Sequence, residues 1–72
     1  MIEICINTEF IKLDSMLKLA GVAETGGQAK YFISEGYIFV NDEVTLLRGK
    51  KLHKGDKITV KFEGEVGNFV II

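Results

Sequence analysis

The sequence has no proline, a single cysteine and a single histidine among its 72 residues. Because Cys5 has no second cysteine to pair with, the chain cannot form an internal disulfide, which is typical of proteins in a reducing compartment. Cys5 and His53 are distant in the sequence, so they do not suggest a metal-binding cluster. We therefore expect neither a disulfide framework nor a metal site.

Long apolar runs are also missing. No stretch approaches the length of about 18 residues that a membrane-spanning helix needs. The first six residues, Met-Ile-Glu-Ile-Cys-Ile, lack the basic start and the cleavage site of a signal peptide. The sequence therefore predicts a cytoplasmic protein that does not contact membranes.

Catalytic and cofactor-binding motifs are absent too. No nucleophile, base and orienting residue form a recognisable set, and Asp56, next to Gly55, is typical of a turn rather than of acid–base catalysis. The pair Gly26-Gly27 is not part of a G-x-G-x-x-G dinucleotide fingerprint. We predict that the protein is not an enzyme and uses no cofactor.

What the chain does have is the composition of one folded domain. Hydrophobic residues make up 47% of the sequence and charged residues 26%, with no repeat, low-complexity tract or linker. We expect residues 1–72 to form a single domain, since a second would not fit. A chain of this size buries only about 60% of the surface that it exposes when unfolded, so the core must be small. The protein is expected to be a monomer.

The net charge of −1 conceals an asymmetry along the chain. Residues 1–43 hold three lysines against seven acidic residues, whereas residues 44–62 hold six basic residues against Asp56 alone, a local excess of +5. Such an arrangement can produce one attractive face for nucleic acid on a nearly neutral protein. A solvated β surface rich in lysine is the alternative interpretation.

Apolar spacing predicts a strand followed by two short helices. Residues 2–6 alternate as a half-buried strand does, and Asp14 is a candidate N-cap for a first helix that ends at Gly21. Thr25 and Gln28 fit the N-cap and N3 positions of a capping box for a second helix. The predicted apolar faces are Leu13, Met16, Leu17 and Ala20 in the first helix, and Ala29, Phe32 and Ile33 in the second, which ends at Gly36.

The remaining residues predict β structure. Residues 37–40 are strong strand formers, residues 41–42 favour a turn, residues 43–47 form a return strand, and residues 48–51 form a basic loop. After a turn at Gly55-Asp56, apolar residues alternate at 58, 60 and 62, and a turn signal at Gly67-Asn68 accompanies a last strand over 66–72. The order β-α-α-β-β-β-β predicts an α+β fold, with a two-helix hairpin packed on a small, mostly antiparallel sheet.

The order of these residues resembles the S4 RNA-binding domain family. The resemblance is strongest over residues 13–60 and looks most like the small stand-alone bacterial members. The matching residues are Leu13-Asp14, Leu17, Ala20-Gly21, Thr25, Gln28-Ala29-Lys30, Ile33, Glu35-Gly36, Ile38, Val40-Asn41, Glu43, Gly49-Lys50-Lys51 and Gly55-Asp56-Lys57-Ile58.

The resemblance implies binding of structured RNA, such as ribosomal RNA or a ribosomal particle, through the helix hairpin (the αL motif) and an adjoining basic loop. Many relatives carry Arg directly after the residue that matches Thr25, where this chain has Gly26. The expected RNA-facing residues are Lys18, Thr25, Gly26, Gly27, Gln28, Lys30, Tyr31, Arg48, Lys50, Lys51 and Lys54.

Several of these residues also have ordinary structural roles. Thr25 and Gln28 cap a helix whether or not its free N–H groups bind a phosphate. Tyr31 could stack on an unpaired base, or it could be a rim residue of the core. The alternative function from a different class is a protein–protein interaction module with the same fold.

Overall fold

The computed structural model describes all 72 residues, which form two helices and seven strands. In chain order they are β1 Ile2–Ile4, β2 Ile11–Lys12, α1 Leu13–Leu19, α2 Gly26–Ser34, β3 Ile38–Val40, β4 Glu43–Val44, β5 Lys51–Leu52, β6 Lys57–Phe62 and β7 Glu65–Ile71. Neither helix has the length and apolar character that crossing a bilayer requires.

Five strands form the main sheet in the order β1-β7-β6-β3-β4, in which only β1 and β7 run parallel. A separate two-stranded antiparallel sheet pairs β2 with β5. The helices pack on one face of the main sheet, around a core of 14 buried apolar residues, most of which come from these two layers. The predicted α+β fold, with two helices on a mostly antiparallel sheet, is confirmed.

Helix α1 begins earlier than the sequence predicts. Its N-cap is Lys12, whose side chain makes no capping bond, so the prediction that Asp14 is the N-cap is wrong. The backbone N–H groups of Leu13 and Asp14 donate instead to the carbonyl oxygens of Lys50 and Arg48, at 2.9 and 3.0 Å. A distant loop satisfies these two donors, and Asp14 Oδ1 accepts from the Ser15 N–H at 2.8 Å, so the first turn needs no bond from the Lys12 side chain.

The predicted turn at Gly67-Asn68 is also wrong. Both residues lie inside β7, where they pair with Val60 and Thr59 of β6. The chain reverses at Glu63 and Gly64, whose φ angles of 51° and 80° match the two positive values of a tight hairpin turn. Packing explains the glycine at position 67, since a Cβ there would approach the Phe69 ring to 3.3 Å.

The small sheet β2–β5 adds two strands that the sequence pattern does not predict, and β4 ends at Val44 rather than at residue 47. Ile11 and Leu52 are paired across the small sheet; Leu52 is fully buried and Ile11 packs against the core. This sheet therefore fixes the segment after β4 to the start of α1.

Candidate nucleic-acid interface

The basic loop, residues 48–51, is held on a defined backbone. Besides the two bonds to the start of α1, the Lys50 N–H donates to the Leu47 carbonyl at 3.1 Å, and Lys51 begins β5. The side chains of residues 48–51 are exposed. Their positive charge is consequently presented to solvent from a loop that is anchored at both ends.

The cations of this loop are largely unneutralised within the protein. Arg48 Nε lies 3.4 Å from Asp14 Oδ2, and this is the only ion pair closer than 4.0 Å in the structure. Lys50, Lys51 and the nearby Lys54 have no carboxylate within 4.0 Å, and Lys50 acts on Asp56 only over a longer distance. Unpaired cations on a fixed backbone are suited to binding an anionic polymer.

The N-terminus of α2 has the predicted capping residues. Thr25 Oγ1 accepts a hydrogen bond from the Gln28 N–H at 3.1 Å. The side chain of Gln28 differs from a standard capping box, because its Oε1 accepts from the Glu24 N–H at 2.7 Å instead of the N-cap N–H. Thr25 is thus confirmed as the N-cap. The Gln28 side chain binds the backbone of Glu24, the residue before the cap.

Gly26 and Gly27 follow the cap, and their own N–H groups have no protein acceptor. A Cβ at Gly26 would meet nothing within 4 Å, and one at Gly27 would only touch Thr25 Oγ1 at 3.8 Å. Packing inside the protein therefore does not require glycine at either position. Free N–H groups at a helix N-terminus can bind an anion such as phosphate.

The other predicted helix residues lie on exposed surface. Lys18 is in the last turn of α1 and Lys30 is in α2, and both side chains are exposed. Tyr31 is 51% exposed, with its ring edge-on to Tyr37 at a centroid distance of 6.2 Å. Tyr31 is therefore a rim residue of an aromatic cluster that still presents ring surface to solvent.

The predicted site residues fall into two groups. The basic loop is hydrogen-bonded to the first turn of α1, whereas the N-terminus of α2 follows the last turn of α1 through residues 20–25. No hydrogen bond or ion pair joins the two groups. The first group thus contacts the start of α1 and the second follows its end. Helix α1 has seven residues and is therefore about 10 Å long.

Sequence reasoning left out one basic segment next to the loop. The β2–β5 sheet places Lys12 opposite Lys51, and Phe10 and His53 flank the sheet, with the Phe10 ring against Lys51. Strands of two residues are too short to produce a periodic signal, so nothing in the sequence connected residues 10–12 with residues 51–53. The tertiary structure therefore adds a basic and aromatic group beside the loop.

The side chains of Asn41 and Asp56 form hydrogen bonds within the protein that stabilise two turns. Asn41 Nδ2 donates to Asp56 Oδ1 at 3.1 Å, and Asn41 Oδ1 accepts from the Lys57 N–H at 3.0 Å. Asp56 Oδ2 accepts from the His53 N–H at 2.8 Å. Partial desolvation raises the pKa of Asp56, but hydrogen bonds from the His53 N–H and the Asn41 amide, with the Coulombic effects of His53 and Lys50, lower it, and the net shift is downward. The turn role predicted for Asp56 agrees with this geometry.

A helix hairpin on a mixed sheet, with an anchored basic loop beside its first helix, defines a small α+β domain with a cationic edge. The chain belongs to the S4 domain family, whose sequence model matches residues 4–67. This confirms the resemblance inferred from the sequence and extends it in both directions, from Ile4 through the hairpin between β6 and β7.

A curated relative covers almost the whole chain. The chain is 48% identical over 69 residues to the probable ribosome maturation protein RlbA of Bacillus subtilis (strain 168). The alignment spans 96% of this chain and 93% of the relative. The similarity therefore extends over nearly the full length of both chains.

Proposed function

We propose that residues 1–72 act as one non-catalytic domain that binds structured ribosomal RNA in the cytoplasm during ribosome maturation. The observation that carries this proposal is the basic loop, whose cations are exposed, unpaired apart from Arg48, and held on a fixed backbone. Membership of the S4 domain family and the similarity to a probable ribosome maturation protein support the same role.

In this proposal, Arg48, Lys50, Lys51 and Lys54 neutralise backbone phosphates on one side of the RNA. Lys18, Lys30 and the free N–H groups of the α2 N-terminus hold another part of the backbone, with Thr25 and Gln28 keeping that terminus in shape. Phosphate contacts give register and affinity but little sequence information. The RNA is therefore recognised mainly by its shape, with Tyr31 available to stack on an unpaired base.

Salt dependence tests this proposal. If the positive surface neutralises roughly three to five phosphates, log K should fall with log[salt] with a slope of about −2 to −4.5. The measurement is a titration of ribosomal RNA fragments at several salt concentrations. A flat response, or no binding at low salt, would refute the proposed function.

The two glycines allow a test of the α2 N-terminus. We expect Gly27→Ala to raise stability by about 0.4–1 kcal/mol, since the site has space for a methyl group and alanine restricts the unfolded chain. The same change should lower RNA affinity, because the methyl group obstructs a phosphate at the free N–H groups. Gly26→Arg should raise affinity by adding a cation at the rim.

Paired melting curves and RNA titrations at one salt concentration measure both effects. If Gly27→Ala binds RNA as well as the parent and Gly26→Arg changes nothing, the α2 N-terminus is only a cap. The RNA surface would then be limited to the basic loop and its surroundings.

A protein-binding role is the second candidate, and one observation favours it. Leu46 and Leu47 are 64% and 69% exposed, directly before Arg48. Adjacent exposed aliphatic side chains supply apolar surface of the kind that protein–protein contacts bury. The absorbance ratio at 260 and 280 nm of protein purified at low salt distinguishes the two roles: co-purified RNA raises it, and a protein partner alone does not.

A further inference from the structure

The two-stranded sheet places two lysines directly opposite each other. Lys12 of β2 and Lys51 of β5 are register partners, next to the inward-facing pair Ile11 and Leu52. Side chains alternate between faces along a strand, so Lys12 and Lys51 both point outward from the same face. Both are exposed.

The pairing geometry brings these side chains close together. The Leu13 N–H donates to the Lys50 carbonyl at 2.9 Å, which places a ladder hydrogen bond on the residues next to Lys12 and Lys51. Hydrogen-bonded and non-hydrogen-bonded pairs alternate in an antiparallel ladder, so Lys12 and Lys51 form the closer, non-hydrogen-bonded kind. Their Cβ atoms are then about 4.5–5.5 Å apart, a spacing at which like charges destabilise a sheet.

An aromatic ring next to the small sheet keeps Lys51 in place. Phe10 precedes β2 and His53 follows β5, and their rings lie 6.2 Å apart between centroids. Lys51 Nζ lies 4.9 Å from the centroid of the Phe10 ring, in cation–π contact. Phe10 is thus a positioning residue for the Lys51 ammonium group.

No acidic group offsets this repulsion. Neither Lys12 nor Lys51 has a carboxylate within 4.0 Å, and the nearby Asp14 pairs with Arg48. An anion between the two ammonium groups would remove the repulsion, and a phosphate with its several oxygens could accept hydrogen bonds from both.

We infer that Lys12 and Lys51 bind one backbone phosphate of the RNA between them, so that the small sheet is part of the RNA-binding surface. This inference rests on the proposed function. It adds Lys12 to the site, and it adds Phe10 as the residue that positions Lys51. The basic edge then runs without interruption from the loop at residues 48–51 onto β2.

The variant Lys12→Glu tests the inference in the full chain. It replaces a like-charge pair with an opposite-charge pair, so its melting temperature should stay the same or rise by about 1–8 °C. Its affinity for a ribosomal RNA fragment should fall at least tenfold, and the salt slope should become shallower by about one, because one phosphate contact is lost. Lys12→Arg keeps the cation and should bind within threefold of the parent.

Lys61→Glu is the matched control, since it makes the same change in net charge on β6, on the sheet face away from the helices. It should lower affinity less than threefold. If Lys12→Glu binds within twofold of the parent, or loses no more affinity than Lys61→Glu, the inference is overturned while the proposed function stands. If the parent itself binds no RNA, both are overturned. Should Lys12→Glu fail to fold, Lys12→Gln replaces it, with an expected three- to tenfold loss of affinity.

Discussion

Reversing two charges in the basic loop, with Arg48→Glu and Lys51→Glu together, is expected to reduce RNA affinity roughly 100-fold or more at low salt. A hydrogen bond to a charged group contributes about 1.5–3 kcal/mol, and each 1.4 kcal/mol changes an equilibrium constant tenfold. Loss of two such contacts, with repulsion in their place, gives an effect of this size. Fluorescence anisotropy with a labelled ribosomal RNA fragment measures it.

Folding stability should change little in the same double variant. The Arg48–Asp14 pair is at the surface, where ion pairs contribute about 0–1 kcal/mol, and the carboxylate that Arg48→Glu introduces will repel Asp14. The carboxylate that Lys51→Glu introduces will face Lys12 and will offset part of that loss. The backbone bonds from the loop to α1 do not depend on either side chain. The free energy of unfolding in urea should therefore remain within about 1 kcal/mol of the parent.

Lys57→Glu with Lys61→Glu is the matched double control. It makes the same change in net charge, but on the face of β6 that points away from Ile58 and the helices. Equal losses of affinity in the two double variants would mean that only the total charge of the protein matters. Unchanged RNA affinity in the loop variant would show that the basic loop is not part of the RNA-binding surface.

Leu52→Ala is expected to have the largest effect on stability, because Leu52 is fully buried and lies on the short strand β5. Removing such a side chain costs about 2–5 kcal/mol, through the lost burial and the cavity that remains. A domain of this length has a total unfolding free energy of about 4–11 kcal/mol. The melting temperature should fall by roughly 10 °C or more, as measured by circular dichroism.

Leu47→Ala is the control, since it is the same substitution in the preceding segment at a side chain that is 69% exposed. It should change the unfolding free energy by no more than about 0.5 kcal/mol. Similar melting temperatures for the two variants would show that the small sheet contributes little to the core. RNA binding by Leu52→Ala should weaken in proportion to unfolding, which distinguishes it from the loop variant.

Together, these two experiments distinguish the residues that determine folding stability (the scaffold) from those that determine RNA affinity (the surface). The scaffold uses buried Leu52 and the backbone bonds at Leu13 and Asp14 to hold the loop. The surface uses exposed cations that contribute little to folding. If both predictions hold, affinity and stability can be changed independently in this domain.

The local elements and the family follow from the amino-acid sequence alone. Both helices, the Thr25 cap, the ends at Gly21 and Gly36, and the turn at Asn41-Asp42 arise from side-chain chemistry or from φ preferences of a few neighbouring residues. The ordered set of residues from Leu13 to Ile58 was enough to indicate the S4 domain family. These features need no knowledge of distant contacts.

The grouping of the charges, in contrast, depends on the tertiary structure. The basic excess over residues 44–62 is a single segment in the sequence, but β6 turns Lys57 and Lys61 to the face opposite the helices, while the loop keeps Arg48 beside α1. Likewise, the start of α1 and the pairing of Lys12 with Lys51 depend on hydrogen bonds between residues far apart in the chain. A local sequence pattern cannot encode such contacts, because the packing of the core determines which distant residues meet.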